Sequence, residues 1–129
     1  MEINPFSDEY FMNEALKEAE NAMKLNEVPV GAIVVSNNQI IARAHNFTER
    51  LNDVTAHAEI QAFTSAADYL GGKYLNECTL YVTLEPCSHY GKTPPCTNAI
   101  VRSKIKKVYF SINDLDKRVL NKTKKKLNK

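Results

Sequence analysis

The chain has 129 residues, of which 43% are hydrophobic and 25% charged, so it suits one globular domain over residues 1–129 rather than a disordered chain. Its longest apolar runs, such as residues 28–35, fall far short of the roughly 20 residues that span a bilayer. The N-terminus lacks the basic start and apolar stretch of a signal peptide, and three cysteines fit a reducing compartment, so no membrane contact and a cytoplasmic location are expected.

The net charge of +2 hides an asymmetry: residues 1–101 carry 6 Lys+Arg against 13 Asp+Glu, whereas residues 102–129 carry 11 against 2. A basic end of this kind can grip a polyanion, or it is a solvated lysine-rich tail.

In chain order, Ser7 or Asp8 can cap a first helix running to about residue 25, with Phe11, Ala15, Leu16, Ala19, Ala22 and Met23 at helical spacing. Residues 28–35 read as a buried strand. Asn37 and Asn38 make a tight turn, and residues 39–44 return as a second strand. Residues 47–55 are polar and read as a loop. Residues 56–70 form a second helix with Ile60, Phe63 and Ala67 inward, stopped by Gly71 and Gly72.

Residues 79–84 are a third strand, and the proline-containing stretch 85–95 is a loop. Thr97 can cap a short helix through Val101, residues 108–112 are a fourth strand, and residues 115–127 read as a last helix. Helices alternating with apolar strands predict an α/β fold, a three-layer α/β/α sandwich.

Chemistry concentrates at four residues. His57, Ala58 and Glu59 open the second helix, Pro86 and Cys87 follow the third strand, and Cys96 lies nine residues beyond Cys87. One imidazole and two thiolates make three ligands for a tetrahedral Zn2+ with one position open, the pattern of a catalytic rather than a closed structural site. Water in that position becomes a nucleophile near neutral pH. Glu59, two residues from His57, is placed to carry a proton without ligating the metal. Both cysteines sit at or near helix N-termini, where the dipole favours thiolate. Cys78 and His45 read as structural. The set His-x-Glu, then Pro-Cys, then a second cysteine, is the signature of the zinc deaminases, which remove an exocyclic amine from a nucleobase-like ring.

On these residues the chain resembles the cytidine deaminase-like superfamily, and the resemblance divides. Residues 1–87 resemble the bacterial tRNA adenosine deaminases through Pro29-Val30-Gly31-Ala32, Ala44-His45-Asn46, residues 53–59 and residues 79–87. This resemblance implies a tRNA anticodon arm as partner, wobble adenosine converted to inosine, Asn46 bonding the base, and the backbone of Val30, Gly31 and Ala32 lining its pocket. Residues 79–129 resemble instead the deaminase domain of the riboflavin-biosynthesis deaminase/reductases, through residues 85–96, Asp114 and residues 116–119. That resemblance implies a small phosphorylated diaminopyrimidinone substrate, contacted by His89 and Lys92.

Each half departs from the other family. The adenosine deaminases keep two residues between the cysteines, and this chain has eight; the riboflavin enzymes carry asparagine where Val28 stands and histidine where Asn46 aligns. The change near residues 79–87 is the expectation of a recombinant chain. The superfamily implies a cytidine deaminase-like fold with a mixed central sheet, zinc between the second and third helices, and a homodimer. Adenosine in RNA is the leading substrate and the pyrimidine the alternative. An inactive zinc-binding protein, with His89 as fourth ligand, is a third reading.

Overall fold

Local chemistry sets the first helix, α1 (Asp8–Lys24), at its start: Ser7 is extended, and its hydroxyl accepts from the Tyr10 backbone N–H at 3.1 Å. This is a computed structural model; it describes residues 7–46, 57–72, 74–84 and 96–112, without the side chains of residues 96, 97, 111 and 112. The loop read over 47–55, the last helix read over 115–127, and Cys87, His89 and Lys92 lie outside the described residues.

After α1 come β1 (Gly31–Ser36), β2 (Gln39–His45), α2 (Ala58–Leu70), β3 (Cys78–Leu84), α3 (Cys96–Ser103) and β4 (Lys107–Ile112). The four strands form one sheet in the order β2-β1-β3-β4. β1 pairs antiparallel with β2 and with β3, while β3 and β4 are parallel, so the sheet is mixed. Asn37 and Asn38 both take positive φ in the hairpin, the left-handed conformation that asparagine tolerates best after glycine. The register shifts between Val34 and Val35, which pair with Ala42 and Ile40, leaving Ile41 as the extra residue of a bulge.

Alternation along the strands separates two cores. Val30, Ala32, Val34, Leu80 and Val82 face α2 and α3 and pack with Ala58, Ala62, Phe63, Ala66 and Ile100. Ile33, Val35 and Tyr81 face α1 and pack on Phe11 and Ala15. The result is helix, sheet, helix, as the sequence predicts. Cys78 is buried in the first of these cores.

Four details differ from the sequence reading. The strand read from residue 28 begins at Gly31, because the Val30 N–H donates to the Val28 carbonyl (2.8 Å) in a tight turn around Pro29 and is lost to the ladder. On α1, Leu16 and Met23 are 37% and 60% exposed; the buried arc is Phe11, Glu14, Ala15, Ala19 and Ala22. On α2 the inward row is Ala58, Ala62 and Ala66 beside Phe63, with Ile60 and Ala67 half-buried. Small side chains at i, i+4 and i+8 let the helix axis lie close to the sheet, which bulkier neighbours would prevent. Finally, α3 starts at Cys96 rather than after Thr97 and runs to Ser103.

Gly31 is required by packing. A Cβ there would lie 2.1 Å from the Ala15 carbonyl oxygen and 2.5 Å from the Ala19 nitrogen, so α1 crosses β1 at backbone contact. Gly71 takes φ 72° and ends α2, as read from the sequence.

Candidate active site

Three element ends meet at one edge of the sheet. β2 and β3 both pair antiparallel with β1, so they finish at the same end, at His45 and Leu84. α2 begins there: the Ala58 N–H donates to Asn46 Oδ1 at 2.9 Å, and Gln61 Nε2 donates to the His45 carbonyl at 2.7 Å. α3 finishes at the opposite end, where the Leu75 N–H donates to the Ser103 carbonyl (2.7 Å) and the Lys106 N–H to the Cys78 carbonyl (3.0 Å). A helix connecting the parallel strands β3 and β4 runs back against them. Its first residue, Cys96, is therefore at the end shared by His57, Glu59 and the exit of β3.

His57 is the N-cap residue of α2, in extended conformation, and its side chain makes no capping bond. Glu59 lies in the first turn and is 5% exposed, where the N-terminal dipole favours a carboxylate. Ala58 between them is fully buried against the sheet. Asn46 is buried, its N–H donating to the Val30 carbonyl at 3.2 Å. Val30 and Ala32 point to the α2 face, whereas Gly31 presents its missing side chain to α1 and its N–H to Thr83 Oγ1 at 3.1 Å. His45 is half-buried, with Nδ1 3.2 Å from the Asn46 carbonyl.

Of the residues singled out from the sequence, the structure thus brings together His57, Glu59, Asn46, Val30, Gly31 and Ala32, with the start of α3. Cys87, His89, Lys92 and the Cys96 side chain are outside the described set. The described part of the site suits a zinc ion: the His57 side chain makes no capping bond, and Glu59, two residues on, is a buried carboxylate. Two helix N-termini converge on that end, on the same face of the sheet, and favour thiolates.

Two polar residues escaped the sequence reading, Gln61 and Thr83. Their only sequence signal is a polar side chain in an otherwise apolar helix face and strand; which backbone atom each would reach is a tertiary fact.

A shallow groove of about 450 Å³ lies between α2 and α3, lined by Ile60, Phe63, Thr64, Tyr74, Ala99 and Arg102 among others. It is separate from the converging helix starts. Among the described residues no helix is long and apolar enough to cross a membrane.

Comparison with known proteins matches this architecture. The profile of the cytidine and deoxycytidylate deaminase zinc-binding region matches residues 5–112. The tRNA-specific adenosine deaminase of Aquifex aeolicus (strain VF5) is 51% identical over 106 residues, covering 82% of this chain and 66% of that protein. This chain thus spans just under two thirds of that relative's length, and the likeness reaches beyond the 87 residues from which it was first read.

Among solved structures, one from work on A-to-I editing by tRNA:A34 deaminases at the wobble position superimposes with a TM-score of 0.76 at 42% identity, covering 84% of this chain and 74% of that one. The Thermotoga maritima diaminohydroxyphosphoribosylaminopyrimidine deaminase/reductase superimposes at 0.75 and 39% identity, covering 93% of this chain and 33% of that one. With the profile matched from residue 5 to residue 112 and the fold shared with deaminases of both kinds, the chain belongs to the cytidine and deoxycytidylate deaminase zinc-binding family.

Proposed function

We propose that this chain is a hydrolytic deaminase, with His57, Cys87 and Cys96 holding zinc and Glu59 moving protons, and that its substrate is adenosine in a tRNA anticodon arm. The observation that carries the chemistry is the buried first turn of α2, where Glu59 sits two residues from a histidine unused by the helix cap. The observation that favours the substrate is the 51% identity to a tRNA-specific adenosine deaminase.

When bound, zinc supplies a water acidic enough to act as nucleophile near neutral pH. Glu59 accepts the proton as the oxygen attacks the ring carbon bearing the amine. It delivers that proton to the ring nitrogen, and a second one leaves with the amine as ammonia, so a C–N bond is exchanged for C=O. Burial of Glu59 keeps bulk water from competing for the proton. Asn46 holds the base with its side-chain amide, and the backbone of Val30, Gly31 and Ala32 forms the wall beside it. His89 and Lys92 are proposed contacts at the rim, suited to a phosphate or a polar ring edge. The whole chain, as one domain, acts as a homodimer. The exposed side chains of Tyr69, Leu70, Tyr74 and Val101, on α2, α3 and the segment between α2 and β3, support that assembly.

A second reading is the pyrimidine deamination of riboflavin biosynthesis. It is favoured by the Thermotoga maritima likeness, which covers 93% of this chain. The experiment is ammonia release by zinc-loaded protein given, in parallel, an anticodon stem-loop with wobble adenosine and the phosphoribosyl diaminopyrimidinone. Turnover of the stem-loop alone supports the proposal. Turnover of the pyrimidine alone replaces it with the second reading. Release from neither, with zinc bound, leaves the inactive zinc-binding protein.

A further inference from the structure

An α-helix leaves its first N–H groups without partners inside the helix, and the residue before it normally supplies the missing acceptor through its own side chain. In α2 that residue is His57, which makes no such bond. The acceptor comes from another element: Asn46, just after β2, places Oδ1 2.9 Å from the Ala58 nitrogen. One turn into the helix, Gln61 Nε2 reaches back to the carbonyl of His45, next to Asn46, at 2.7 Å. Both bonds run from donors on α2 to acceptors at the end of β2, one from backbone to side chain and the other from side chain to backbone. They close a clamp on the turn that contains His57, Ala58 and Glu59. Asn46 is itself held by its backbone bond to Val30, and Gly31 by Thr83, so the clamp is anchored through the end of the sheet.

We propose that Asn46 and Gln61 together form a cap supplied from β2 that releases His57 from capping duty, and that Gln61 is a positioning residue for Glu59 and for the metal ligand His57. The proposal rests on the deaminase reading above, since it gives the placement of that turn a chemical purpose. A self-capping residue at position 57 would turn its side chain onto the helix, and a ligand cannot do that. The cap is therefore displaced onto a neighbouring strand. The role assigned to Gln61 needs no contact with substrate or metal. Its effect passes through the helix turn that it pins.

The test uses Gln61→Met, which keeps side-chain length and loses the donor, together with Asn46→Ala and Asn46→Asp, of which only the second keeps an acceptor for the Ala58 N–H. Three quantities are read on the full chain: hydrogen exchange at the Ala58 and Glu59 amides, zinc affinity by chelator competition, and kcat and KM for the turned-over substrate. Loss of a side-chain hydrogen bond that orients a ligand is expected to weaken zinc about 10-fold. Gln61→Met should lower kcat by a similar factor with KM changed less than twofold. Amide protection at Ala58 should fall about 10-fold in Asn46→Ala and be retained in Asn46→Asp.

Unchanged Ala58 protection in Asn46→Ala overturns the cap. Lost protection with kcat and zinc affinity unchanged in Gln61→Met makes the clamp merely structural and overturns the positioning role. A parent chain that binds no zinc overturns the metal reading instead, and the positioning role with it. The exchange data then still report whether the cap itself exists.

Discussion

The two faces of the sheet are packed in different ways. Against α1 the contacts are aromatic: Phe11 and Tyr81 lie 5.3 Å apart, and Tyr81 stacks on Tyr109 at 5.2 Å with rings 14° apart. Against α2 they are small: Ala32, Ala42 and Ala44 of the sheet meet Ala58, Ala62 and Ala66 of the helix. Large rings bury much area per residue and hold α1 firmly, yet impose a set distance. Alanines contribute little area each but let α2 settle close to the strands, so that its first turn reaches the ends of β2 and β3. On the opposite face α1 also comes close at one point, over Gly31, and the rings of Phe11 and Tyr81 pack beside that crossing.

This contrast predicts where a substitution costs activity and where it costs only stability. The largest effect belongs to Glu59: Glu59→Gln should lower turnover by about 10²–10⁴-fold with zinc still bound, the range for loss of a general acid–base. Ammonia release and metal content on the same sample check it.

Next is Ala62→Leu, which inserts bulk where the helix approaches the sheet. It should destabilise by about 1–3 kcal/mol, as overpacking does, and reduce activity in the protein that remains folded, because α2 moves. Denaturant titration alongside kcat separates the two.

On the opposite face, Tyr81 donates to Asp8 Oδ1 at 2.6 Å, and burial, then the Asp8 carboxylate, push its phenol above the ordinary value of 10. Tyr81→Phe should lose about 0.5–1.5 kcal/mol, the net worth of one hydrogen bond, with kcat intact. The raised value means that the folded state prefers neutral Tyr81. Its contribution is complete below pH 10 and is lost as pH rises toward and through the folded value, so the wild type should lose stability on the alkaline side more steeply than the variant.

The smallest effect is at Glu14. Its carboxylate is held below 4.5 by the hydrogen bond from Lys17, then that from Arg43, at 2.6 and 2.9 Å. A lowered value contributes above pH 4.5 and is lost as pH falls through the folded value. Glu14→Gln should therefore flatten the acid limb of the stability profile slightly, with activity near neutral pH unchanged.

Much of this could be read from the chain. The order of helices and strands, the Ser7 cap, the Asn37–Asn38 turn and the Gly71 stop are local signals, and local rules found them. The inward face of α2 could not be read so well. Ile60 and Ala67 fit the helical period as well as Ala62 and Ala66 do, and only the close approach of the sheet selects the smaller row. Leu16 and Met23 misled for a related reason. They form a stripe beside the buried one, and Glu14, paired with Lys17 and Arg43, occupies an inward position that hydrophobicity would assign to them. His57 and Glu59 stand out in the sequence because their spacing suits chemistry, and the structure puts them at the cap and first turn of α2. Gln61 and Thr83 do not stand out, since the atoms they bond are backbone groups of distant segments.

The sequence holds no tryptophan and six tyrosines, so absorbance and emission excited at the long-wavelength side of the phenylalanine bands report on tyrosine. Tyr81, hydrogen-bonded to a carboxylate on α1 and stacked on Tyr109 of β4, differs in its surroundings from the exposed Tyr69 and half-exposed Tyr74. A phenol donating to a carboxylate absorbs at longer wavelength and emits weakly. Release of α1 from the sheet should thus appear as a gain in emission and a blue shift in absorbance, so the molecule carries an optical gauge of α1 docking that needs no added label.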